Sequence, residues 1–97
     1  MLGETRSLTV LDLHKNKLIG TLPQCLGSLK TLYQLDLSHN RFEGPIPRTV
    51  GRMGELRTLD LSENRLSGPI PDEMGDATAL RKLNLSNNAL TGLYQLL

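Results

Sequence analysis

Short runs of alternating leucine and polar residues return along this chain at a fixed interval. In QLDLS, residues 34–38, Leu35 and Leu37 point to one side of an extended segment, while Gln34, Asp36 and Ser38 point to the other. That two-residue period predicts a β-strand with one buried face. The alternation recurs at Leu11 and Leu13, at Leu59 and Leu61, and at Leu83 and Leu85, each pair 24 positions after the last. Leu8, Leu32, Leu56 and Leu80 keep the same step, as do Asn16, Asn40, Asn64 and Asn88. Three full units are expected over 8–31, 32–55 and 56–79, with a partial fourth over 80–97. No linker interrupts them, so residues 1–97 read as a single domain.

Each strand is followed by a return segment and then by an equivalent strand, so the strands are predicted to be parallel and stacked at ~4.8 Å. Polar alternation leaves the second face of the sheet open to water. Each asparagine falls where the strand ends and backbone groups lose their ladder partners. Its amide donates and its carbonyl accepts, which assigns Asn16, Asn40, Asn64 and Asn88 a structural role. The return segments FEGPIPRTVG (42–51) and LSGPIPDEMG (66–75) place Gly44 and Gly68 at sharp bends and Ile46 and Ile70 as apolar anchors. Pro47 and Pro71 argue against a long helix and leave room for one short helical turn, with Val50 or Met74 facing inward. Leu22, Pro23 and Leu26 do the same in the first unit. No single coil buries its own leucines, so each needs a neighbour.

Equivalent positions in successive coils form columns on the open face. One is Val10, Gln34, Thr58 and Lys82; the next is Asp12, Asp36, Asp60 and Asn84; the third is His14, Ser38, Ser62 and Ser86. Lys15, His39, Glu63 and Asn87 lie beside them, and Thr9, Tyr33, Arg57 and Arg81 flank one edge. These columns are the expected partner-contact surface. Repulsion between aspartates ~4.8 Å apart in water is only ~0.9 kcal/mol per pair, so the column needs no cation. Lys17, Arg41 and Arg65 make a further basic column past the asparagines. His14 and His39 come from neighbouring columns and converge with no zinc-like ligand set, so no metal is expected. Cys25 aligns with Thr49 and Glu73 on the outer side and reads as an exposed thiol with no histidine to activate it. Asn84 opens the one glycan acceptor motif, NLS.

The string LxxLxxLDLSxNxLxGxIPxxLGxLxx resembles the plant-type leucine-rich repeat from Leu8 to about Gly92, with the xGxIP element written as IGTLP, EGPIP and SGPIP. The resemblance implies an α/β repeat solenoid: a right-handed coil with a parallel sheet on its concave face and short 3-10 or turn segments on its convex face. It also implies a second short strand from the xGxIP segment. Relatives of this type form ectodomains of receptor-like kinases and receptor-like proteins, and polygalacturonase-inhibiting proteins, which bind peptides, co-receptors or pathogen enzymes on the concave sheet. The family's paired cysteine caps are missing and the tail TGLYQLL departs from the pattern. The chain therefore reads as a fragment or minimal relative, with Leu93, Tyr94, Leu96 and Leu97 folding back as an improvised cap.

Composition narrows the partner class. Of 97 residues, 11 are basic and 10 acidic, for a net charge of +1, which gives no electrostatic footprint for nucleic acid or anionic membrane. Phe42, Tyr33 and Tyr94 are the only aromatics, too few for a base-stacking platform. The single cysteine makes no internal disulfide, and the first 13 residues carry no secretory leader pattern. With no nucleophile–base pair, phosphate-cradling loop or metal set, an enzyme is not expected and no cofactor is implied. The expected function is non-enzymatic binding of a protein or peptide; the alternative is a structural fragment that self-associates weakly through uncapped ends.

Overall fold

A computed structural model describes residues 8–91. Eight short strands run along the described residues: β1 (Val10–Asp12), β2 (Ile19–Thr21), β3 (Gln34–Asp36), β4 (Arg41–Gly44), β5 (Thr58–Asp60), β6 (Arg65–Pro69), β7 (Lys82–Asn84) and β8 (Ala89–Thr91). They form two parallel four-stranded sheets, β1-β3-β5-β7 and β2-β4-β6-β8. Every coil thus contributes one strand to each sheet, as expected of an α/β repeat solenoid. The expected improvised cap lies outside the described residues.

The first sheet is in the register that the 24-residue period dictates. Val10 pairs with Gln34, Gln34 with Thr58 and Thr58 with Lys82, and the Asp12, Asp36, Asp60, Asn84 column is equally continuous. Its ladder extends past the strands through Tyr33 N–H to Thr9 O (2.9 Å) and Leu37 N–H to Asp60 O (2.9 Å), with the same bonds repeated in the next coil.

The second sheet follows a different register. Ile19 pairs with Arg41, Glu43 with Arg65, and Ser67 with Ala89, a step of 22 rather than 24. The two-residue stagger keeps each side chain on its own face. It breaks up the expected basic column, however, because Arg65 lies across from Glu43 and not from Arg41.

Proline sets the third side of each coil. Pro23, Pro47 and Pro71 are extended and are followed by five-residue 3-10 helices, Gln24–Ser28, Arg48–Arg52 and Asp72–Asp76. Their i→i+3 bonds start from the proline carbonyls, as in Val50 N–H to Pro47 O at 3.1 Å. The inward member of each turn, Leu26, Val50 or Met74, is buried as expected. Gly20, Gly44 and Gly68 take φ of +92°, +77° and +77° where the chain bends into the proline segment, a region that costs other residues dearly.

The core is a continuous column of apolar side chains. Leu32, Leu35, Met53, Leu56, Leu59 and Leu66 are fully buried, with Ile46 and Ile70 beside them. Burial fades toward the ends: Leu35 and Leu59 have no exposed surface, whereas Leu83, the equivalent residue in the last coil, is 36% exposed. A leucine in this architecture is covered by the next coil, and the terminal strands have one neighbour instead of two.

Candidate functional site: the open face of the first sheet

The asparagines fix the shape of this face from behind. Asn40 Nδ2 lies within hydrogen-bond distance of the carbonyls of Leu13, Leu37 and Ser38, at 3.0, 3.1 and 3.0 Å, and its Oδ1 accepts from Leu18 N–H. Asn64 repeats this with Leu37, Leu61 and Ser62, and accepts from Phe42 N–H at 3.1 Å. Each side chain therefore ties its own turn to the previous coil. Asn88 does the same in a half-buried setting, while Asn16, exposed in the first coil, bonds only carbonyls of its own turn.

The aspartate column has a local role. Asp36 Oδ1 accepts from Ser38 N–H (3.0 Å) and from the Ser38 hydroxyl (2.6 Å), and Asp60 holds Ser62 in the same way at 3.0 and 2.7 Å. Asn84 does this for Ser86 with its amide oxygen. One carboxylate oxygen is thereby committed to the turn, leaving Oδ2 to face outward. This geometry corrects the expected contact surface at two positions. Ser38 and Ser62 are 4% and 5% exposed and closed over by these bonds, so they present nothing to a partner. Strand alternation pointed them outward, but the strand ends at the aspartate and the turn rotates them in.

The remaining columns are accessible. Val10, Asp12, His14, Lys15, Tyr33, His39, Arg57, Glu63, Lys82 and Asn84 are exposed, and Gln34, Asp36, Thr58 and Asp60 are half-buried. Gln34, Asp36, Thr58, Leu59, Asp60, Lys82 and Asn84 line a shallow concavity of about 300 Å³. The Arg57 guanidinium lies 5.9 Å from the centre of the Tyr33 ring, joining two residues of the same edge column.

Two features escaped the sequence reading. Lys15, His39, Glu63 and Asn87 all sit at φ of +55° to +58°. Asparagine and, less so, histidine favour this region, but Lys and Glu do not, so the column's residue types do not together announce the left-handed turn. The second is where the fold puts His14, the histidine that the first coil carries at the serine position of the other coils. The His14 ring Nδ1 bonds Asp12 Oδ1 in place of the hydroxyl and lies 4.0 Å from Asp36 Oδ2. The bond to Asp12 holds the His14 pKa above 6.5, and the same bond, with the His14 backbone N–H, holds the Asp12 carboxyl below 3.8. The sequence reading weighed His14 together with His39 for a ligand set; the fold instead brings His14 near the Asp12 and Asp36 carboxylates.

Cys25 is an exposed free thiol, as expected. Among the described residues no helix is long and apolar enough to cross a membrane.

Comparison with known proteins places the repeat. Family profiles described as leucine-rich repeat match residues 7–29, 31–53 and 46–90. Comparison with curated proteins gives no match. Among solved structures, the BIR3–SERK2 complex of Arabidopsis thaliana is similar at 41% identity and a TM-score of 0.89, covering 94% of this chain and 49% of that one. The BIR2 ectodomain of the same organism gives 39% identity and a TM-score of 0.89, covering 94% and 48%. A plant peptide hormone receptor, RGFR1 in complex with RGF2, gives 35% and 0.89, covering 92% of this chain and 14% of that one. The chain thus spans about half the length, or less, of these relatives. Its matched repeats, its GxIP-type return segments and its two-sheet coils together show that it belongs to the leucine-rich-repeat family, in the plant type.

Proposed function

We propose that this chain is a non-enzymatic binding module that receives a protein or peptide on the open face of the first sheet, within a receptor or inhibitor of the plant type. The observation that carries this reading is the concavity lined by Gln34, Asp36, Thr58, Asp60, Lys82 and Asn84, on a sheet face that no other part of the described chain covers. The BIR3 structure holds SERK2 and the RGFR1 structure holds RGF2, which supports a protein or peptide as the partner class.

Size sets the strength. Four strands at ~4.8 Å, each exposing three or four residues at ~3.3 Å, offer a flat patch on the order of 200 Å². A standard interface uses ~800 Å² per partner. These coils alone therefore bind weakly, and additional coils or multivalent presentation raise the affinity.

Selection of displayed random peptides against the chain tests the reading. The selected peptides should lose binding to an Asp36→Lys/Asp60→Lys variant and keep it to Arg48→Glu/Arg52→Glu on the 3-10 side. Peptides that tolerate the first variant and reject the second would refute it. A second reading, end-to-end self-association, draws on the exposed apolar residues of the terminal coils, Val10, Leu18, Ile19 and Leu83. Sedimentation velocity across a concentration series separates the two, since only an end-stacking chain grows with concentration.

A further inference from the structure

We propose that Asp12, His14 and Asp36 form a zinc-binding site where the first two coils meet on the open face, sharing Asp36 with the concavity assigned to the partner. The three side chains come from two coils, and one ligand atom from each lies within 4.8 Å of the others. Three atoms no farther apart than 4.8 Å always share a centre within about 2.8 Å of all of them. Zinc bonds nitrogen and carboxylate oxygen at ~2.0–2.2 Å, so rotamer adjustments of under about an ångström close the site.

The donor set selects the metal. One imidazole with two carboxylates suits zinc, which accepts three protein ligands and keeps a fourth position for water. Calcium takes six to eight oxygens and is poorly served by a ring nitrogen. The surroundings also hold the ligands in place. Asp36 Oδ1 is fixed by the backbone N–H and hydroxyl of the buried Ser38, which leaves Oδ2, the atom nearer His14, free to coordinate. Only the first coil is so equipped, because the position of His14 is serine in each of the others.

The repeat itself supplies substitutions compatible with folding. His14→Ser installs the residue used by the other three coils, and Asp36→Asn installs a side chain that already makes the same turn bonds at Asn84. Isothermal titration with zinc chloride, in a Cys25→Ser background to remove the exposed thiol, should give saturable binding of one zinc per chain. His14→Ser and Asp36→Asn should each weaken it by roughly tenfold or more, His39→Gln should leave it unchanged, and calcium should not compete. The proposal is overturned if the parent binds no zinc, if either first-coil variant binds like the parent, or if His39→Gln abolishes binding. Circular dichroism of each variant confirms the fold, and loss of zinc binding leaves the peptide-binding experiment free to succeed or fail separately.

Discussion

Replacing Asn64 with alanine removes the tie between the second and third coils. Its amide hydrogens serve a cluster of three carbonyls, those of Leu37, Leu61 and Ser62, and its Oδ1 satisfies the Phe42 N–H. Asn64 is 9% exposed and Phe42 also 9%, so water cannot take over these contacts without opening the coil. Three hydrogens' worth of bonding is lost in a buried setting. At ~1–1.5 kcal/mol each the cost is about 3–5 kcal/mol, of which an orphaned N–H alone supplies ~1–3. A domain of this length is stable by only ~5–15 kcal/mol. Asn16→Ala is the matched control. Its side chain bonds carbonyls of its own turn and is exposed, so water replaces it and the cost stays below about 1 kcal/mol. Urea unfolding followed by circular dichroism, with the slope checked for constancy, measures both. Half-buried Asn88→Ala should fall between them, and it gives a readable midpoint if Asn64→Ala has no folded baseline. Equal shifts for Asn16→Ala and Asn64→Ala would refute the idea that these amides act by joining coils.

Other consequences follow from single contacts. A Cβ on Gly51 would lie 2.1 Å from the Glu73 carbonyl oxygen, whereas one on Gly75 meets nothing within 4 Å. Gly51→Ala should therefore lower the urea midpoint by an amount equivalent to about 2 kcal/mol or more, and Gly75→Ala should leave it within about 0.5 kcal/mol. At the Asp12–His14 pair both pKa directions bear on stability. The raised His14 contributes fully below 6.5 and is lost as pH rises through its higher folded value; the lowered Asp12 contributes above 3.8 and is lost as pH falls through its folded value. The pair thus acts between those limits, and an NMR titration in chelated buffer should place the His14 midpoint above 6.5 and Asp12→Asn should move it back down. His39→Asn puts at φ +55° the residue that the fourth coil uses at φ +58°, and should raise thermal stability slightly; a fall would argue against strain at these turns.

Much of this architecture is legible in the spacing of leucines and asparagines. Leu35, Leu59 and their equivalents fix the strands and the 24-residue register of the first sheet, because each coil must cover its neighbour's apolar side chains. Ile46, Val50, Ile70 and Met74 could be assigned to the interior because proline rules out any competing long helix. The second sheet's 22-residue pairing could not be read, since a stagger depends on how the coils lean and leaves the period untouched. Ser38 and Ser62 were misplaced because alternation was carried two residues beyond the strand, into a turn whose geometry is set by the aspartate that ends it. His14 was legible as a departure from serine, but its approach to within 4.0 Å of Asp36 Oδ2 needed both coils in three dimensions.

Backbone chemical-shift mapping puts the central claim to its most direct test. A peptide selected for binding is titrated into 15N-labelled chain, and the perturbed amides are located. Shifts concentrated at Gln34–Asp36, Thr58–Asp60 and Lys82–Asn84, with the 3-10 helices Arg48–Arg52 and Asp72–Asp76 unmoved, are the expected result. Shifts centred on those helices or on β4 and β6, with the first sheet silent, would contradict it.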